Sequence, residues 1–321
     1  MYKVIMVPTD CSGFDREAIR VGLRLAERTS AVLHLVRVRT FNGFIGTGPT
    51  PDGIEFPFAG ERDAALTELT ALATECRSNS SADVVASLED GPVPDALAGY
   101  ASRNAINLIV ISSHSRGGFS RFSLGSVTDS LIRHTTIPVL VVKPPASYLN
   151  PQVRNEFRRI VVPLDGSALA EQILPAVVAL ARLEEAEITL LNVQSLRDPS
   201  PIRRADQPVA WAEANFAATK AYLCVIAEKL RRSGLTATCE IVIGDNAAEE
   251  IAEYAARERA DLIAIATHGR GGLSRILRGS VADSVTRSAR TSIFALHPSG
   301  IAATERDRGT VNERPRAVAL V

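Results

Sequence analysis

Apolar residues along this chain fall into two spacings. Short unbroken runs, such as "LIVI" (108–111) and "PVLVV" (138–142), alternate with longer stretches whose apolar positions lie three and four apart. Ala18, Gly22, Leu25 and Ala26 are one such helical face. A run apolar at consecutive positions is a strand buried on both sides, and the wider spacing marks a helix. In the first half the pattern predicts strands near 3–8, 32–38, 83–88, 107–112 and 138–143, with helices near 14–29, 61–78, 94–104 and 126–134. Alternation of buried strands with helices implies a parallel sheet covered on both faces, and right-handed crossovers make it doubly wound.

The pattern then repeats. "YKVIMVPTDCSG" (2–13) matches "RRIVVPLDGSAL" (158–169), and "NLIVISSH" (107–114) matches "DLIAIATH" (261–268). "LEDGPVPDALAGYA" (88–101) matches "IVIGDNAAEEIAEYA" (241–255), setting Gly91 against Gly244. "SHSRGGFSRFSLGS" (113–126) matches "THGRGGLSRILRGS" (267–280). The offsets stay within a residue of 154, so the chain is a tandem duplication. The expected fold is α/β: two tandem doubly wound, Rossmann-like domains, each a five-stranded parallel sheet flanked by helices. The expected divisions are domain one at 1–145, a linker at 146–157, domain two at 158–298 and a mobile tail at 299–321. Gly/Pro-rich loops at 41–60 and 195–210 stand at matching places in the two halves.

Composition narrows the function. Lys plus Arg equals Asp plus Glu, giving a formal net charge of zero, whereas a general nucleic-acid binder carries a strong basic excess. No apolar run is long enough to cross a bilayer, and the N-terminal stretch lacks a signal-peptide pattern. Cys11, Cys76, Cys224 and Cys239 show no metal-ligand spacing and read as free thiols. A cytoplasmic protein is expected.

In a doubly wound sheet, ligands sit beyond the carboxyl ends of the strands, where the strand order reverses. The duplicated loop rich in Gly, Ser and Arg lies there, between a strand and a helix that opens at Gly279–Ser280 or Gly125–Ser126. A helix N-terminus attracts anions through its unpaired amides and dipole, and glycines let the backbone approach a phosphate. The same residues also read as helix caps: Ser280-x-x-Asp283 and Ser126-x-x-Asp129 have capping-box spacing. Asp10 and Asp165 close the first strand of each half, placed either to meet a ribose, an adenine amine or Mg²⁺, or to cap the next helix. His114 and His268 lie in the loops with no nucleophile or carboxylate at catalytic spacing, so a structural role is expected. Neither Gly-Lys-Ser/Thr nor GxGxxG occurs.

Together, the strand endings "VPTDCS" (7–12) and "VPLDGS" (162–167), the Gly91 and Gly244 turns and "GSVTDSLIRHTTIPVLVVK" (125–143) resemble a tandem universal stress protein. Nucleotide-binding members of that family share Gly, two residues, Gly, nine residues, then Gly-Ser or Gly-Thr. Against that pattern the second half has Ala266, Gly269 and Gly279–Ser280, and the first half has Ser112, Ser115 and Gly125–Ser126. The second half is therefore the stronger site. The resemblance implies that Pro163, Leu164, Asp165 and Val193 meet the adenosine, and that Ile265, Ala266, Gly269, Gly279, Ser280 and Val281 surround ribose and phosphates. The first-half set would be Pro8, Thr9, Asp10, Val38, Ile111, Ser112, Ser115, Gly125, Ser126 and Val127. It further implies ATP, with or without Mg²⁺, as ligand, and a regulatory role in stress rather than an enzyme. A scaffold of the same fold that binds no nucleotide is the alternative, with a slow ATPase after it. Family-like pairing of last strands would join the two halves as an internal pseudo-dimer or two chains as a homodimer.

Overall fold

A computed structural model describes residues 2–40, 58–113, 124–143, 156–195, 208–267 and 280–298. The first half runs β1 (Val4–Pro8), α1 (Arg16–Thr29), β2 (Val32–Arg39), α2 (Phe58–Ser78) and β3 (Asp83–Asp90). It closes with α3 (Val93–Arg103), β4 (Leu108–Ser112), α4 (Ser126–His134) and β5 (Val139–Val142). The second half runs β6 (Arg159–Pro163), a 3-10 turn (Ala170–Ile173) leading into α5 (Leu174–Glu184), β7 (Glu187–Gln194), α6 (Pro208–Arg232) and β8 (Thr236–Ile243). It closes with α7 (Ala247–Arg257), β9 (Leu262–Ala266), α8 (Ser280–Ser288) and β10 (Ser292–Leu296). Every first-half element lies within a few residues of its expected span. Residues 146–155 of the expected linker and the whole expected tail fall outside the described residues, as do residues 41–57 and 196–207 of the two long loops.

Each half is a parallel sheet, ordered β3-β2-β1-β4-β5 and β8-β7-β6-β9-β10. The order reverses between β1 and β4, and again between β6 and β9. β5 and β10 then pair antiparallel, so all ten strands form one sheet. The register sets Leu140 against Phe294, Val141 against Ile293 and Val139 against Ala295. Leu140 and Phe294 are 154 positions apart, the repeat offset itself (294 − 140), so a two-fold pseudo-axis passes through that pair. Both side chains are fully buried.

The central strands β1, β4, β5, β6, β9 and β10 are buried on consecutive positions because helices cover both faces, while β3 and β8 at the sheet's edges carry exposed polar residues. One face of the sheet carries Ile5, Val7, Leu33 and Leu140 against α1 and α2, continuing into Ile160, Leu190 and Phe294 against α5 and α6. The other carries Met6, Ile109, Val141 and Ile293 against α3, α4, α7 and α8. Alternate residues of one strand thus feed two cores that both run across the junction of the halves.

Polar groups at that junction obey the pseudo-axis in one place and break it in another. Asp129 of α4 holds Arg133 (3.0 Å) and Arg287 (3.2 Å), while Asp283 of α8 holds Arg287 (3.3 Å) and Arg133. The two aspartates are 154 apart, as are the two arginines, making a symmetric quartet. The asymmetric contact is deeper. Glu184, fully buried at the end of α5, takes both oxygens to Arg24 of α1 at 2.5 and 2.6 Å. A carboxylate at a helix C-terminus opposes the helix dipole, and the Arg24 guanidinium, lying over the Phe157 ring, offsets it. Lys143 breaks the symmetry too: its ammonium donates to the carbonyls of Thr286 (3.3 Å) and Ala289. Its repeat mate is His297, whose Nδ1 is buried and has no hydrogen-bond partner among the described residues.

Two stability predictions follow the buried charges. Arg24→Ala strands a buried carboxylate and lowers stability by about 3 kcal/mol; in urea unfolding, the Arg24→Ala/Glu184→Ala double variant should lose less than the two singles summed. Burial pulls the Lys143 ammonium down from its ordinary 10.5 to about 8. The unfolded chain therefore binds more protons between those values, so this group's contribution to stability rises with pH across the window. Relative to Lys143→Met, the wild-type chain should gain up to about 3 kcal/mol between pH 8 and 10.5, measured by denaturant unfolding at each pH.

Candidate functional site

The candidate residues gather where the strand order reverses. β6 is in register with β7 along all five residues, Arg159 to Pro163. Against β9 its register covers only Ile160↔Leu262 and Val161↔Ile263, although β9 continues to Ala266. β1 does the same, pairing with β4 only at Ile5↔Leu108 and Met6↔Ile109 while β4 continues to Ser112. Both central strand pairs therefore stop pairing before their carboxyl ends. In each half the interval between those unpaired ends, the crevice, lies between the expected residues of the first strand and those of the fourth.

In the second half, Pro163 is half-buried, Leu164 is buried and Asp165 is exposed at the rim. Leu164 N donates to Leu191 O at 2.8 Å, and Asn192 Nδ2 donates to Leu164 O at 2.6 Å. This double tether to β7 sets the direction in which Asp165 leaves the sheet; no sequence signal had singled out Asn192. Val193, half-buried, lies one residue further along β7. Across the crevice Ile265 and Ala266 are buried, and Thr267 N is tied to Leu296 O at 2.7 Å. Val281 is exposed in the first turn of α8. Gly269 and Gly279 lie outside the described residues, as do Ser115, His114 and His268. Ser280 is described as the first residue of α8.

The first half builds the same crevice with more of its own side chains in it. Thr9 is buried, its hydroxyl bonded to the Asp15 carboxylate and accepting from Cys11 N at 3.0 Å. Ser112 donates to Phe14 O at 3.0 Å, bridging the end of β4 to the loop after β1. Thr128 in the first turn of α4 is placed 3.4 Å from the Ser112 carbonyl. Ala266, the counterpart of Ser112, can make no such side-chain bridge. Asp10 and Val38 are half-buried, Pro8 likewise, and Ile111 is buried.

Two expected helix caps take a different form. Asp10 and Asp165 do not cap α1 or α5; each accepts from the amide two residues on, Ser12 N and Ser167 N, both at 2.9 Å. These Asx turns reverse the chain at once, before any helix begins. The capping box at Ser126 also fails. Gly125 is the N-cap, with φ −63° and ψ 148° and no side-chain cap, so Ser126 and Val127 are already helical. Asp129 is then one position too far along to reach back, and its carboxylate goes to Arg133 and Arg287 instead. At α8, Asp283 likewise faces Arg133 and Arg287. Among the described residues, no side-chain cap is made at the N-cap of α4, and a helix start with uncapped amides suits an anion.

With this geometry in place, comparison with known proteins decides the family. The model of the universal stress protein family matches residues 1–143 and again 156–297. The chain belongs to the universal stress protein family. A universal stress protein of Mycobacterium tuberculosis is 28% identical over 203 residues, 61% of this chain and 63% of that relative's length. One from Methanocaldococcus jannaschii is 29% identical over 148 residues, 45% of this chain and 84% of the relative. Among solved structures, a universal stress protein from Archaeoglobus fulgidus superposes with a TM-score of 0.68 at 18% identity, covering 92% of this chain and 98% of its own. That likeness concerns the fold, two universal stress protein domains with flanking helices.

The turn after Asp165 offers a clean test of local backbone cost. Gly166 has φ +88°, and a Cβ built there meets nothing within 4 Å. Its first-half counterpart, Cys11, takes the same left-handed region at φ 59°. Gly166→Ala should therefore fold and lose about 1 kcal/mol, all of it backbone conformation, in a chemical denaturation experiment.

Proposed function

We propose that this chain is an ATP-binding regulatory protein of its family, with the crevice between β6 and β9 the stronger of two sites. The observation carrying this reading is the early end of β6–β9 pairing beneath an exposed carboxylate. Adenine needs an apolar slot, and Pro163, Leu164, Val193 and Ile265 offer one. The Asp165 carboxylate stands where ribose hydroxyls would donate, and its Oδ1 already holds the turn through Ser167 N, leaving its second oxygen for a ligand. Phosphates would then lie toward the start of α8, with Mg²⁺ an accompanying ion. The first crevice binds more weakly because Ser112 and Thr9 crowd and cross-link it.

The reading assigns binding and no turnover. Nucleotide acts by stabilising one conformation or assembly over another, which requires different affinity for the two. The halves work as an internal pseudo-dimer in a cytoplasmic protein.

Mg-ATP should raise the unfolding midpoint, and at a hundred times the dissociation constant it adds about 2.7 kcal/mol of stability. Asp165→Ala should weaken ATP by about tenfold, or 1.4 kcal/mol, in calorimetric titration. Asp165→Asn separates the two roles of this side chain, since it keeps the Asx-turn acceptor but not the charge. A chain that carries no nucleotide through gentle purification, and shows no midpoint shift at millimolar ATP, ADP or AMP, would be a scaffold of this fold instead.

A further inference from the structure

Two side chains of the second half lie outside the crevice and have a chemistry of their own. Cys224 sits on α6 and Cys239 on β8, with sulfurs 3.4 Å apart. Both thiols are free; Cys224 is exposed and Cys239 half-buried. The helix–turn–strand unit that carries them dictates this contact. Leu223, Ala227 and Leu230 bury one face of α6 on the sheet, and alternate β8 residues Ala237, Cys239 and Ile241 pack into that same core. Between them the chain reverses at Gly234 (φ +83°), with Leu235 N bonded to Leu230 O at 3.2 Å. Arg231 Nε then donates to Ala237 O at 2.8 Å. That turn fixes the register of strand on helix, and the register sets the two sulfurs face to face.

The duplication supplies a comparison within one chain. Counting back from the end of the helix and forward from the start of the strand, the first-half counterparts are Thr70 and Ala86. The sulfur pair therefore belongs to the second half alone, on the outer strand of the ten-stranded sheet.

We propose that Cys224 and Cys239 are a redox-active dithiol, oxidised by hydrogen peroxide to a disulfide that staples α6 to β8. Cys224 is the sulfur that solvent reaches. Burial, and then the neighbouring Cys224 thiol, push the Cys239 thiol up, making it the poorer initial nucleophile. Cys224 takes one oxygen from peroxide to become a sulfenic acid, and water leaves. The Cys239 sulfur then attacks the Cys224 sulfur: the S–S bond forms, the S–O bond breaks, and the departing hydroxide leaves as water with the Cys239 proton. Two thiols and one peroxide give one disulfide and two waters. The sulfurs close from 3.4 Å to about 2.0 Å, a movement within reach of side-chain rotation. An exogenous thiol reverses the reaction by exchange.

The staple bears on the earlier turns of α6 as well. Gln194 at the end of β7 donates to Thr219 Oγ1 of α6 at 2.6 Å, so a helix fixed to β8 also fixes the strand end beside Val193. The inference needs no nucleotide and is tested without one.

The reduced full-length chain, with its four thiols, is treated with hydrogen peroxide and its free thiols are titrated. Two should be lost, with a Cys224–Cys239 cross-linked peptide in non-reducing mapping and recovery of four on adding dithiothreitol. Cys239→Ser should instead leave a sulfenic acid on Cys224 that dimedone traps. Oxidation should raise the melting midpoint by several degrees, an effect missing from the Cys224→Ser/Cys239→Ser variant, whose circular dichroism checks its fold. Phenylarsine oxide, a probe for neighbouring dithiols, should bind the reduced chain one to one and the oxidised chain not at all. Four thiols surviving peroxide that oxidises free cysteine, or a disulfide between chains or to Cys11, would overturn the proposal.

Discussion

The antiparallel pairing of β5 with β10 is the constraint on which the rest of the molecule hangs. Each parallel half would otherwise end in a strand of buried apolar residues, Val139–Val142 or Ser292–Ala295, whose free backbone groups would recruit other chains. Pairing them satisfies both edges at once and merges two small cores into two layers that cross the whole sheet. It also brings α4 beside α8, which is why four charged residues meet there. Half-exposed ion pairs of that kind contribute little; the apolar strands and the buried Arg24–Glu184 contact hold the halves together.

Duplication gave the halves one plan, and a few side chains depart from it. Ser112 ties the end of β4 to the loop after β1 by a hydrogen bond, where Ala266 has no group to do so. Cys11 occupies a left-handed turn that Gly166 takes without strain. Lys143 satisfies helix-end carbonyls while its mate His297 has a buried nitrogen without a partner among the described residues. The thiol pair has no first-half equivalent. Each change leaves the shared backbone intact and alters only the side-chain chemistry of one half.

Much of this was legible in the chain itself. Consecutive apolar runs located β1, β4 and β5, because burial on both faces of a parallel sheet leaves no room for polar alternation; β2 and β3, nearer the edge, carry His34, Arg37, Ser87 and Glu89 among their apolar residues. The repeat offset set Asp10 against Asp165 and identified the loops at the reversal of strand order. Contacts that depend on tertiary geometry were not legible. Arg24 and Glu184 are 160 positions apart with Ala179 and Thr29 as their repeat mates, so neither periodicity nor repetition flags them. The spacing Ser126-x-x-Asp129 looked like a capping box, but glycine can itself serve as an N-cap, and a one-residue shift redirected Asp129 to two arginines. Cys224 and Cys239 seemed unrelated because fifteen residues separate them; a helix, a tight turn and a strand undo that distance.

Because β5 and β10 run in opposite senses, the strands of one half finish at the margin of the sheet where those of the other half start. The two crevices consequently look away from each other, one toward each margin. Whatever approaches the carboxyl ends of one half therefore does so from the margin opposite to that of the other half.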